Sequence, residues 1–95
     1  MSVKLPRVCW LSSLNMSEIE AQFHQNFGQR LANRREANGI SQDALAVQLQ
    51  CQQSMISRIE SGERAASLTF LMSWSSAMNV PFAEIAGEAL ELWTA

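Results

Sequence analysis

Two short apolar patterns separated by a break occupy the middle of the chain. Leu45, Ala46 and Leu49 recur at helical spacing, Gln50 to Gln52 interrupt them, and Ile56 and Ile59 open a second apolar face. The spacing predicts two short helices packed against each other across a tight turn. Ser41 stands where the first needs an N-cap, Asp43 complements the dipole in its opening turn, and the second stops at Ser61-Gly62. Gln53, Ser54, Ser57 and Arg58 are left on the outer side of the second helix. Amide, hydroxyl and guanidinium groups in that arrangement suit a polar ligand, and they are the types that hydrogen-bond base edges and phosphates in a major groove.

The flanks read as helices too. Ser17-Glu18-Ile19-Glu20 has the form of a capping box, and Ile19, Phe23, Phe27 and Leu31 then follow down one face of a first helix that ends near Asn38-Gly39. Ser67 is positioned to cap a fourth helix with Phe70, Leu71, Trp74 and Met78 as its buried stripe. Pro81 starts a fifth, which carries Phe82, Ile85, Ala86, Ala89, Leu90 and Trp93 on one side. There is no repeat, low-complexity tract or strand pattern, so the fold class is all-α with five helices. Residues 1–16 contain Pro6 and no helical period and are expected to form a flexible arm, with Trp10 and Leu11 as its docking candidates, while 17–95 form the domain. Met16 is a second candidate start, which would make the residues before it a leader.

The ordered series Phe27-Gly28-Gln29-Arg30-Leu31, Arg35, Gly39-Ile40-Ser41-Gln42, Leu45-Ala46, Ile56-Ser57-Arg58-Ile59-Glu60-Ser61-Gly62 and Asn79-Val80-Pro81 resembles the Cro/lambda-repressor-like, or XRE, family of helix-turn-helix regulators. The resemblance implies a lambda-repressor-like DNA-binding domain. It also implies that Gln42 meets a phosphate at the start of helix two, that Arg35 and Glu60 form a partly buried structural ion pair, and that Arg64 lies in a loop along the DNA backbone. Two positions depart from the pattern: Gln50 replaces the usual turn Gly, and Gln52 replaces the Ser or Thr cap of helix three. A non-Gly residue in a left-handed turn costs about 1 kcal/mol, so Gln50 is either strained or the turn is rebuilt.

On that docking geometry Gln53 and Arg58 are the expected base readers, since each offers two hydrogen bonds to one base. Ser54 and Ser57 support them, Gln52 joins the same DNA-binding set at the entry to the helix, and Met55 either touches a thymine methyl or packs. Arg30 and Arg34 are expected only to solvate helix one.

Charge refines the reading. The net charge of −2 gives no general field for nucleic acid, so affinity must come from a few placed contacts and from doubling them in a dimer. The distribution helps: Gly28 to Arg64 holds five Arg against four acids, whereas Ala65 to Ala95 holds Glu84, Glu88 and Glu91 and no basic residue. Cys9, Cys51 and the lone His24 lack metal-ligand or disulfide-framework spacing, so neither metal nor cofactor is expected. Val8-Cys9-Trp10-Leu11 is too short for a signal peptide or membrane span, which points to a cytoplasmic protein with no membrane partner. No nucleophile and base set or phosphate loop suggests an enzyme.

The apolar stripe of the fifth helix outruns what a small core requires. Ile85, Ala89, Leu90 and Trp93 are therefore expected to form a dimerisation surface centred on Trp93. The implied function is a sequence-specific transcriptional regulator, a homodimer on a double-stranded inverted-repeat operator, repressing an operon of a mobile element or defence system, its own included. The competing reading is an antitoxin that binds a toxin through its arm or last helix and autoregulates its operon.

Overall fold

A computed structural model describes residues 16–94, which form α1 (Met16–Ala37), α2 (Gln42–Leu49), α3 (Gln53–Ser61), α4 (Leu68–Met78) and α5 (Phe82–Thr94). Among the described residues there is no strand. The arm, with Trp10 and Leu11, lies outside them. The amino end of α1 differs from expectation: the helix already includes Met16, so Ser17 stands inside it and is not its cap. Ser41 and Ser67 do cap, with the Ser41 hydroxyl accepting from the Ala44 N–H at 3.0 Å and that of Ser67 from the Phe70 N–H at 3.1 Å.

The turn between α2 and α3 is made at the expense of strain. Gln50 sits at φ 56, ψ 45, in the left-handed region, and its N–H closes α2 onto the Ala46 and Val47 carbonyls. α3 ends at Gly62, φ 86, where an added Cβ would lie 2.7 Å from the backbone of Gln25. Glycine is required there twice over, by conformation and by space.

The core joins all five helices through Phe27 and Leu31, Leu45 and Ala46, Ile56 and Ile59, Phe70, Trp74 and Met78, and Ile85. At Gly28, α1 lies directly against the backbone of α3. A Cβ at that position would fall 2.3 Å from the Ile59 carbonyl oxygen and 2.6 Å from that of Glu60, so only hydrogen fits between the two backbones.

Arg34 does more than solvate α1. Its Nη2 lies 2.7 Å from the Glu84 carboxylate and also pairs with Glu88, to which its Nε donates at 3.2 Å. The hydrogen bonds that Arg34 donates to Glu88, with Glu84 adding to them, raise the guanidinium pKa against a smaller opposing effect of burial. This clamp ties α1 to α5.

The dimerisation surface read from the sequence needs correction at one residue. Ile85 is 0% exposed and belongs to the core, so it has no surface to offer a partner. Trp93 folds back onto α1, meeting the Phe23 ring edge-on with centroids 5.6 Å apart. The stripe of α5 is in fact two faces. Phe82, Ile85, Ala89 and Leu92 turn inward to different depths, whereas Ala83, Ala86, Gly87 and Leu90 are exposed on the outside.

Candidate nucleic-acid interface

The outer face of α3 is set by what the inner face buries. Ile56 and Ile59 are 1% and 3% exposed. At about 100° per residue, Gln53, Ser54, Ser57 and Arg58 then occupy the arc on the opposite side. Gln53, Ser54 and Arg58 are exposed and Ser57 is half-buried. Ser54 and Arg58 lie one turn apart, as do Gln53 and Ser57, so the four side chains make a polar patch two residues wide. Met55 falls outside it. It is half-buried and packs against the core.

Gln42 is bound within the protein at both ends of its amide. Its Nε2 donates to Glu60 Oε1 at 2.9 Å, and its Oε1 accepts from Gln53 Nε2 at 2.5 Å. Behind Glu60 stands Arg35, donating through Nε to Oε2 at 2.7 Å and through Nη2 to Oε1 at 3.0 Å, while its Nη1 bonds the Ile40 carbonyl at 2.6 Å. The Arg35 and Glu60 side chains are each only 8% exposed. The hydrogen bond to Glu60 outweighs desolvation and raises the Arg35 guanidinium pKa, so the guanidinium stays charged. A continuous relay therefore runs from the Ile40 carbonyl through Arg35, Glu60 and Gln42 to Gln53.

The relay has a fixed polarity. A carboxylate only accepts, so Gln42 must present its NH₂ to Glu60 and its carbonyl to Gln53. Gln53 in turn must donate, which leaves one N–H and its Oε1 unused. One donor beside one acceptor matches the N7 and N6 edge of adenine. Gln42 keeps a spare N–H at the amino end of α2, where a helix terminus also favours an anion.

Gln52 is exposed at the N-cap of α3 and makes no capping bond; its Oε1 instead accepts from Ser54 Oγ at 3.5 Å. The amino end of α3 thus has no side-chain cap of its own. Arg64 is exposed in the loop after α3, its backbone N–H anchored to the Arg58 carbonyl at 3.2 Å. The structure brings Gln42, Gln52, Gln53 and Ser54 to one end of α3, and Arg58 and Arg64 to the other. Reading the residues alone missed the bond from Gln42 to Gln53 and the Arg34 clamp, because each depends on side chains meeting across helices.

Among the described residues no group of three His, Cys, Asp or Glu side chains could hold a metal ion, and no helix is long and apolar enough to cross a membrane. His24 lies against the Phe23 ring, with centroids 5.3 Å apart.

A polar outer arc on one short helix, seated on a second across a tight turn and backed by a buried ion pair, defines a DNA-binding regulator of the helix-turn-helix class. The chain belongs to the Helix-turn-helix family, of the Cro/lambda-repressor-like or XRE type, which matches residues 31–85. Among solved structures, it is similar to the restriction-modification controller protein C.AhdI from Aeromonas hydrophila at 32% identity and a TM-score of 0.62, over 68% of this chain and 97% of that one. No curated protein matches it. Family and fold are those of DNA-binding regulators rather than of enzymes.

Proposed function

We propose that the protein is a dimeric repressor that binds an inverted-repeat operator and occludes a promoter, with 17–95 as its working domain. The observation that carries this is the prepared amide of Gln53, held by Gln42 with a donor and an acceptor left over at the exposed end of α3. Gln53 and Arg58 read bases. Ser54 and Ser57 support them, and Gln42, Gln52 and Arg64 meet phosphates.

The acidic composition makes two reading heads necessary, since one head carries few positive charges. The outer face of α5 supplies the contact between them. Ala83, Ala86 and Gly87 are small enough to let two helices approach closely, and Leu90, 63% exposed, stands at the centre of the contact. Ala89 flanks it, and Trp93 serves it from behind by holding α5 to α1. The likeness to a restriction-modification controller supports an operon of host defence, including its own promoter, as the target.

Footprinting on the DNA upstream of its own gene tests the proposal. Protection of two half-sites related by a two-fold axis, one helical turn apart or a multiple of it, is the expected result. Protection of a single half-site by a monomer would overturn the dimeric reading, and absence of any protected site would overturn autoregulation.

A further inference from the structure

We infer that Glu60 sets which base Gln53 prefers, by fixing through Gln42 the direction in which the Gln53 amide points its donor and its acceptor. Resting on the base-reading role proposed for Gln53, this gives a largely buried carboxylate a part in specificity as well as in its ion pair. Glu60 and Gln53 lie seven residues apart on α3, two turns along one face and about 10 Å in rise, and Gln42, the first residue of α2, bridges them. Both Glu60 oxygens accept from Arg35, which the Ile40 carbonyl holds in turn. Toward α2 the carboxylate therefore offers an acceptor and nothing else.

The two arms of an amide are nearly equal in size, so packing does not choose which way it points; its hydrogen bonds do. Gln42 has to answer Glu60 with its NH₂, its carbonyl falls to Gln53, and Gln53 spends one N–H on it. What remains for a base is one N–H beside Oε1, the complement of adenine, which presents N7 as acceptor and its N6 amino group as donor. Reversing the relay calls for a different base. Were Gln42 to give Gln53 a donor, Gln53 would take it on Oε1 and turn both N–H groups outward. Two donors complement guanine, whose N7 and O6 are both acceptors, whereas adenine would set its amino group against an N–H. The choice between adenine and guanine is thus the one that a flip of this amide decides, and the flip is imposed from the core end by Glu60.

Two variants act on the relay from different ends. In Gln42→Lys the buried pair is untouched, and an ammonium, which only donates, meets Glu60 on one side and Gln53 on the other. In Glu60→Gln the position can donate as well as accept, so the direction is no longer imposed. The full chain, these two variants and Gln53→Ala are each used to select duplexes from a synthetic pool randomised over about two helical turns, at one salt concentration, and the bound fraction is sequenced. The unaltered chain should favour adenine at the position where Gln53→Ala loses its preference. There Gln42→Lys should lower the ratio of adenine to guanine by at least about fivefold, the lower end of what one bidentate pair discriminates, and Glu60→Gln should lower it in the same direction while the preference belonging to Arg58 stays. A smaller change in Gln42→Lys would overturn the inference and leave Gln53 a base reader, and this arm decides even where Glu60→Gln does not fold. A Glu60→Gln chain folded by circular dichroism would also overturn it by keeping the original ratio, or by flattening every position alike, the mark of a purely structural role. A Gln53→Ala selection identical to that of the unaltered chain would overturn the base-reading role itself and the inference with it.

Discussion

Gln53 on α3 donates a hydrogen bond to Gln42 on α2 at 2.5 Å, and Gln42 is itself oriented by a carboxylate that the core holds in place. Gln53 therefore does not present a freely rotating amide to solvent. Holding a side chain of this length in one conformation before binding avoids an ordering cost of roughly 0.5–1.5 kcal/mol at the moment of contact.

Gln42→Ala is expected to weaken binding to every sequence and also to flatten the preference at the base pair Gln53 reads. This differs from the uniform loss that phosphate contact alone implies. Gln53→Ala should lose about 1–3 kcal/mol of discrimination at that base pair, and the double variant should fall short of the sum. Binding to single-base operator variants at one salt concentration measures all three; strict additivity would show that the bond between the two amides has no part in recognition.

Arg58 and Arg64 should separate by salt and sequence. Arg58→Ala is expected to relax preference at one base pair by about 1–3 kcal/mol per half-site, whereas Arg64→Ala should lower affinity for all sequences alike and reduce the salt slope by about 1 per half-site. If Arg64→Ala altered the ranking of operator variants, the loop after α3 would have to enter the groove.

Arg35→Ala should destabilise the fold by roughly 3–5 kcal/mol, because Glu60 is left buried and unpaired. Arg34→Ala removes a clamp in which Arg34 is 28% exposed and its Glu84 and Glu88 partners are 51% and 18% exposed, so its loss should be smaller than that of Arg35→Ala and shrink with added salt. Urea titrations of both variants test the order. The raised pKa of Arg35 makes the contribution of its charge present at lower pH and lost only as pH rises into strong alkali, so the Arg35→Ala deficit should not change with pH around neutrality.

Gln50→Gly should stabilise the protein by about 1 kcal/mol, since glycine occupies φ 56 without the strain of a Cβ. For a domain of this size that is a rise in Tm of about 4–8 °C. A fall in Tm on this substitution would mean that the glutamine side chain contributes more than its backbone loses.

Leu90→Glu is the test of the α5 contact. The side chain is 63% exposed within one copy, so Tm extrapolated to low protein concentration should hardly change, while sedimentation should show the chain shifted to monomer. Unaltered self-association would move the interface elsewhere.

The helices and the polar outer arc of α3 are legible in the sequence, because period and caps are local properties. Leu45, Ala46, Leu49, Ile56 and Ile59 fixed α2 and α3, and Ser41 and Ser67 marked helix starts that the structure keeps. Gln50 announced its strain by occupying a glycine position. What could not be read depends on contact between distant elements. Arg34 meets Glu88 across 54 residues, and Trp93 meets α1 because α5 crosses back over it. A helical stripe shows that a face is apolar without showing whether another helix of the same chain already covers it, which is why Ile85 and Leu90 looked alike in sequence and differ completely in exposure.

The contact at Gly28 bears on how this chain can diversify. Any single-nucleotide change at its codon that alters the residue introduces at least a Cβ, and that atom collides with two main-chain oxygens that no rotamer can move aside. Position 50 offers the reverse, a site where the present residue is not the one the backbone favours. In a library selected for folding alone, codon 28 should stay fixed while codon 50 drifts toward glycine, although both flank the same helix, α3.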